Sequence, residues 1–148
     1  MANEAKTCAI FREMLMSKGY YEDTQVVVEE QKSDNPKIDK LLKNASKKGS
    51  KNGYPDFLLY SKEYPELLIV VEAKADINKH ESETRDNYAD YAIDGALLYA
   101  AFLSKEFDVL AIGISGEEIG CFRMSHYLHL KEDKKAYPLF DDKLLSIK

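Results

Sequence analysis

Two carboxylates and a lysine lie at the ends of two short apolar segments. The segments span residues 56–60 and 67–73. Asp56 begins the first, Glu72 lies near the end of the second, and Lys74 directly follows it. Side chains alternate between the two faces of a strand, so Glu72 and Lys74 point the same way. If the segments form an antiparallel hairpin, Asp56 falls opposite Val71 or Glu72. Asp56 and Glu72 are then neighbours across the ladder, with their Cβ atoms ~5 Å apart.

A carboxylate pair of this kind favours a bound divalent cation. Two ionised carboxylates repel each other, and burial increases the repulsion, so either one is protonated or a cation lies between them. Mg²⁺ uses one or two carboxylates together with water and phosphate oxygens, and it makes water a usable nucleophile near neutral pH. We therefore expect Mg²⁺, or Mn²⁺ in its place, at Asp56 and Glu72, with the backbone carbonyl of Ala73 as a further ligand.

Lys74 has a different expected role, because a cation cannot ligate a metal ion. Its ammonium group can hold or polarise an attacking water, or neutralise charge on a scissile phosphate. The alternative interpretation is a solvated strand end, with Asp56 as an ordinary turn residue after proline. The glycine-containing loop that enters Asp56 and the lysine-rich stretch before it favour the catalytic interpretation.

The elements that must position these residues can be predicted from hydrophobic periodicity and turn residues. Helical spacing predicts α-helices over 4–18, 36–48 and 87–103, and apolar or β-branched stretches predict strands over 26–28, 56–60, 67–73, 109–114 and 119–124. The last twenty residues have little pattern. This order predicts an α/β fold in which a mixed β-sheet is flanked by helices.

Bulk properties indicate one domain spanning 1–148, because 148 residues can bury a single sizeable core. No apolar stretch approaches the ~20 residues of a membrane span, and the first residues lack a signal-peptide pattern. We therefore expect a cytoplasmic protein with no membrane contact. Cys8 and Cys121 are far apart, which fits free thiols in a reducing compartment.

The net charge of −5 argues weakly against nucleic-acid binding. However, residues 37–51 contain six lysines against a single acid. Lys47, Lys48 and Lys51 are closest to Asp56 in sequence and are the candidates to follow a DNA backbone. A solvated face is the other explanation of this lysine run. The spacing of His126 and His129 permits a shared helix face, but without a third ligand we expect surface histidines.

Asp56, Glu72 and Lys74 form a trio, and the residues around this trio resemble a known family. Pro55-Asp56, followed after an apolar strand by Glu-Ala-Lys at 72–74, resembles the PD-(D/E)xK nuclease superfamily. The wider segments 53–60 and 69–75 resemble the N-terminal nuclease domain of type I restriction enzyme R subunits and of fused type IIG restriction–methylation enzymes. Segments 91–100 and 112–116 extend this resemblance, which covers residues from about 4 to 125.

The resemblance implies a restriction-endonuclease-like fold and Mg²⁺-dependent cleavage of DNA. It implies that Asp56 and Glu72 ligate the metal and that Lys74 is the catalytic lysine. Family members often carry an acid near the start of the first helix, for which Glu4 is the first candidate and Glu13 the second. The family's Gln-x-x-x-Tyr motif is matched by 87–91, where Asn87 replaces Gln and Tyr91 ends the motif. Both are candidate DNA contacts: the Asn87 amide can make the same kind of contact as Gln, and Tyr91 is expected to line the groove or the core instead of taking part in the chemistry.

The sequence therefore predicts the cleavage domain of a restriction-modification enzyme, with DNA and the remaining motor, methylase or specificity modules as partners. One alternative is a nuclease-like DNA-binding or assembly module that does not cut. Another is a stand-alone repair-type nuclease of the same fold. The intact trio favours a cutting enzyme, and the acidic charge favours a tethered module over an independent DNA binder.

Overall fold

The computed structural model describes residues 4–43, 45 and 53–139, which form three helices and six strands. In chain order the elements are α1 (Glu4–Ser17), β1 (Val26–Glu29), α2 (Pro36–Leu42), β2 (Phe57–Ser61), β3 (Tyr64–Lys74), α3 (Ala92–Leu103), β4 (Asp108–Glu118), β5 (Cys121–His129) and β6 (Tyr137–Pro138). In this part of the chain, no helix is both long and apolar enough to cross a membrane.

The strands form a single mixed sheet in the order β1-β2-β3-β4-β5-β6. β3 and β4 pair in parallel, and every other neighbouring pair is antiparallel. A parallel pair needs a crossover connection, and α3 supplies it. The predicted α/β architecture, a mixed sheet flanked by helices, is confirmed and is compatible with a restriction-endonuclease-like fold.

Two apolar layers cover the two faces of this sheet. On one face α1 packs through Phe11 and Leu15 against residues that include Val71. On the other face α2 and α3 pack against the alternate residues of the same strand, among them Leu68 and Val70. From Leu68 onward β3 is therefore largely buried on both faces, which explains why residues 68–71 are continuously apolar.

The first turn of α3 approaches the sheet closely at Gly113. A Cβ at this position would lie 2.6 Å from Ile93 Cδ1 and 2.8 Å from the Ile93 backbone nitrogen. Gly113 pairs with Glu72 in the β3–β4 ladder. The start of α3 is consequently held against the row of the sheet that contains Glu72.

Three predicted elements need correction. The third helix begins at Ala92 instead of 87, because Ala92 and Ile93 donate their N–H groups to the carbonyls of Lys79 (2.9 Å) and His80 (2.8 Å). The segment 87–91 therefore lies outside the helix. The second helix ends at Leu42, and most of its predicted remainder lies outside the described residues.

The third correction concerns the histidines near the end of the chain. His126 and His129 lie on β5, which is longer than predicted, and not on a helix. Both are buried, at 3% and 6% exposure, so the expectation of surface histidines was wrong. The imidazole ring of His129 makes a 2.8 Å hydrogen bond with the carbonyl of Asp133, which accounts for its burial.

Candidate active site

Asp56 and Glu72 are neighbours across two antiparallel strands. Phe57 pairs with Val71, so the next position outward sets Asp56 opposite Glu72. The backbone N–H of Asp56 donates to Glu72 Oε1 at 3.1 Å, and the N–H of Ala73 donates to Asp56 Oδ2 at 2.8 Å. Each carboxylate therefore accepts a hydrogen bond from a backbone N–H of the opposite strand segment, in the arrangement that the hairpin predicts.

Glu72 is almost completely shielded from water, with 2% of its surface exposed. Its Oε2 lies 3.1 Å from the position that a Cβ on Gly95 of α3 would occupy. The absence of a side chain at Gly95 thus leaves room for the carboxylate between the helix and the sheet. Burying an ionised carboxylate is costly unless it is paired or bound to a cation.

Lys74 closes the trio at the end of β3. Its Nζ donates to the carbonyl of Ala89 at 2.8 Å and to Glu4 Oε1 at 3.3 Å, and its side chain is 16% exposed. Glu4, the first acid of α1, therefore lies beside Lys74. Glu13 lies nine residues further along α1, or about 13.5 Å at 1.5 Å per residue, and is exposed.

One buried hydroxyl secures this end of α1. Thr7 Oγ1 donates to the carbonyl of Gly116 on β4 at 2.6 Å and lies 3.4 Å from the carbonyl of Lys74. The threonine is fully buried. The position of Glu4, one helical turn earlier, is therefore fixed relative to the sheet.

The negative charge of the carboxylate pair contributes to the raised pKa values of two nearby side chains. Burial, followed by the charges of Glu72 and Asp56, raises the pKa of the Tyr99 phenol above its usual value. Burial, followed by the charge of Asp56, raises the pKa of the Cys8 thiol to about 12. A negative potential of this kind attracts cations.

Tyr99 also holds the loop that carries Asp56. Its hydroxyl donates to the carbonyl of Tyr54 at 3.0 Å, and the hydroxyl of Tyr54 in turn donates to Asp39 of α2. Tyr99 was not among the site residues predicted from the sequence. In sequence it is one of several tyrosines in an apolar helical stretch, so no local signal distinguishes it.

The donor set fits a hard cation that keeps much of its water. Among the described residues, no three or more His, Cys, Asp or Glu side chains converge as a metal-binding group. Mg²⁺ is commonly held by only one or two carboxylates, with water and phosphate completing its shell. Asp56 and Glu72 together meet that requirement, and the role of the Ala73 carbonyl stays a prediction.

Two of the five predicted DNA-contacting residues lie in the described part of the chain. Lys47, Lys48 and Lys51 lie outside the described residues. Asn87 and Tyr91 precede α3, so their predicted location on that helix was wrong. Asn87 is exposed, and the ring centroid of Tyr91 lies 5.1 Å from Lys79 Nζ.

An open cavity of about 530 Å³ lies beside Lys74 and Glu4. It is lined by Glu4, Ala5, Lys74, Ala75, Asp76, Lys79, Ala89 and Asp90. Lys74 therefore faces a space that a substrate can enter, even though most of its side chain is covered.

Behind the site, His80 occupies a fully buried position to which the sequence assigned no role. Its two ring nitrogens each lie 2.8 Å from a serine hydroxyl, that of Ser115 on β4 and that of Ser125 on β5. Burial, with the nearby charge of Arg123, lowers the pKa of His80 to about 4. The imidazole is thus neutral near pH 7 and ties the 79–91 segment to the sheet.

Comparison with known proteins gives one informative match. The chain is 36% identical over 133 residues to the Type II restriction enzyme and methyltransferase RM.BcgI of Heyndrickxia coagulans. The chain is related to a restriction enzyme. The match covers 80% of this chain and 20% of the relative, so the chain spans about one fifth of that protein's length. No family model matches the chain, and no solved structure matches it significantly.

Proposed function

We propose that this chain is the DNA-cleaving domain of a restriction-modification enzyme, a Mg²⁺-dependent endonuclease of the PD-(D/E)xK type. The observation that carries the proposal is the pairing of Asp56 with Glu72 across the hairpin, with Lys74 at the same strand end. The similarity to a restriction enzyme supports the same conclusion. Mn²⁺ is expected to substitute for Mg²⁺.

In this proposal the carboxylates of Asp56 and Glu72 hold the cation. When bound, Mg²⁺ would lower the pKa of water and neutralise charge on the phosphate. The N–H of Ala73 keeps Asp56 oriented through its 2.8 Å hydrogen bond. Because a backbone donor sets this orientation, little reorganisation would be needed when the substrate arrives.

Lys74 would act on the attacking water or on the phosphate oxygen that gains charge. Its Nζ is held by Glu4 and the carbonyl of Ala89, which restrict the directions in which the ammonium can point. Hydrolysis would join a water oxygen to phosphorus and break the bond between phosphorus and a deoxyribose oxygen; the attacking water gives up a proton and the departing oxygen takes one up. Glu4 serves in this scheme to place Lys74.

The proposed partners are DNA and the other modules of a restriction-modification enzyme. The relative is described as a type II enzyme that combines restriction and methylation. That favours a fused restriction–methylation enzyme over a type I R subunit for the protein to which this domain belongs. Methylase and specificity modules, together with this domain, would then supply the complete activity.

Cleavage of supercoiled plasmid in the presence of Mg²⁺ or Mn²⁺ tests the proposal. Asp56→Asn and Lys74→Met should each reduce the cleavage rate by at least ~10²-fold, the usual effect of removing one stabilising group from a transition state. Glu63→Gln and Lys62→Met, at the turn between β2 and β3, are matched controls that should keep wild-type rates.

The assay should be repeated in the full-length polypeptide if the domain alone does not cut. Wild-type cleavage in both site variants would refute the catalytic assignment. Binding of DNA without any cleavage by the full-length protein would favour the non-cutting assembly module instead.

A further inference from the structure

A third side chain lies in the same row of the sheet as the two carboxylates. The β1–β2 ladder pairs Val26 with Ser61 and Glu29 with Leu58. Two positions beyond Glu29, the same register sets Gln31 opposite Asp56. Its Nε2 donates to Asp56 Oδ1 at 3.4 Å. The row therefore runs from Gln31 through Asp56 to Glu72, across three neighbouring strand lines.

The backbone at Gln31 is held in an unusual conformation. Its φ of 56° lies in the left-handed region, which is unfavourable for a residue with a Cβ. The bend is maintained by the buried carboxylate of Glu29, which accepts hydrogen bonds from Ser33 Oγ at 2.8 Å and from the Asp34 N–H at 2.6 Å. Such conformations persist only where surrounding contacts enforce them.

We propose that Gln31 is a positioning residue that orients Asp56 for the cation, an inference that rests on the proposed function. The Ala73 N–H holds Oδ2 of Asp56 and Gln31 holds Oδ1, so the carboxylate is fixed at both oxygens. A neutral amide can do this without repelling a divalent ion. A lysine or arginine at this position would repel the ion. The carboxylate would then be presented to the cation in one orientation.

The length and exposure of this contact predict a functional effect with little effect on folding. At 3.4 Å it is near the upper limit for a hydrogen bond, and both side chains are accessible to water. Losing it should not unfold the protein. The contact instead orients Asp56. Groups that hydrogen-bond to a metal ligand typically change metal affinity 10- to 100-fold when they are removed, so we expect the loss of this contact to weaken metal binding.

Mn²⁺ titration calorimetry without DNA, thermal unfolding and plasmid cleavage together test the inference. Gln31→Asn is the informative variant, since asparagine tolerates the left-handed backbone while its shorter side chain loses the contact. We expect Gln31→Asn and Gln31→Ala to weaken Mn²⁺ binding by about tenfold and to lower kcat, without shifting the melting temperature. Gln25→Asn, at the other end of β1, is the matched control and should behave as wild type.

Each outcome has a distinct meaning. Wild-type Mn²⁺ affinity and cleavage in both Gln31 variants would overturn this inference and leave the proposed function standing. Tighter Mn²⁺ binding with full activity in Gln31→Glu would also overturn it, because the side chain would then be a direct ligand. If the wild-type full-length protein neither binds Mn²⁺ nor cleaves DNA, the proposed function fails, and this inference fails with it.

Discussion

Glu72 carries a carboxylate at a position that the fold almost entirely shields from water. Its only solvent exposure is 2%, and the carboxylate of Asp56 lies on the neighbouring strand. Like charges placed opposite each other in a sheet destabilise it. A residue selected only for stability would not carry this charge, so its presence fits a site that a cation completes.

Glu72→Gln should therefore stabilise the metal-free protein while removing its response to divalent ions. The amide oxygen can still accept the Asp56 N–H, but the charge repulsion is gone, so we expect a gain of about 1 kcal/mol in EDTA. In the wild type, Mn²⁺ at a hundred times its Kd should add about 2.7 kcal/mol, and the variant should lose most of that gain. Urea denaturation with EDTA or MnCl₂ measures both quantities.

The matched control for this prediction is Glu66→Gln. Glu66 lies on the same strand and is exposed, so its substitution should change neither value. A Glu72→Gln protein that is less stable than wild type in EDTA would contradict the view that the charge is an energetic cost in the folded state.

At the scale of elements, the contact between α3 and the sheet decides the shape of the site. Gly113 admits the first turn of α3, and Gly95 leaves room for the Glu72 carboxylate. The loop before α3 also supplies the carbonyl of Ala89 that binds Lys74. The start of α3 therefore affects two members of the trio without contributing a catalytic side chain.

Gly113→Ala should lower both stability and cleavage. The added methyl would approach the backbone nitrogen of Ile93, which cannot rotate away, so we expect a loss of about 1–3 kcal/mol, as for other overpacked sites. Chemical denaturation measures this loss, and the cleavage rate should fall even where the variant is fully folded. Gly120→Ala is the control, because a Cβ there meets nothing within 4 Å. Equal stability of the two variants would refute the proposed close approach.

At the scale of the whole molecule, His80 joins parts of the fold that are distant in sequence. Its ring contacts β4 and β5, and its carbonyl accepts the N–H of Ile93 at 2.8 Å at the start of α3. All three connections form with a neutral ring, since burial lowers the pKa of His80 to about 4. Global stability should therefore depend on the protonation of this single side chain.

We expect stability to fall as the pH drops from about 6.5 to 4. An unfolded histidine gains a proton near pH 6.5, whereas folded His80 stays neutral until about pH 4. In that interval the unfolded chain binds one more proton, so His80 contributes a slope of at most about 1.4 kcal/mol per pH unit, with its full stabilisation present above pH 6.5. Urea denaturation at several pH values should show a shallower slope in His80→Gln; equal slopes would exclude this role.

Several features of the site could be predicted from sequence because they depend on neighbouring strands. Alternation along β3 sets Glu72 and Lys74 on one face, and a short turn makes β2 its antiparallel neighbour, so Asp56 falls opposite Glu72. The apolar stretches also predicted a mixed sheet flanked by helices. The beginning of α3 was misplaced because it depends on carbonyl groups of residues 79 and 80, which no local pattern reveals.

The rest of the site was decided by tertiary structure. The contact of Glu4 with Lys74 joins residues 70 positions apart, and it required α1 to pack on β3 and β4. Gln31, Tyr99 and His80 acquire their partners only when separate elements meet. Sequence by itself determined the carboxylate pair, because strand periodicity and a short turn suffice for that. Only the folded chain determined which other side chains surround the pair, because those distances depend on how whole helices pack against the sheet.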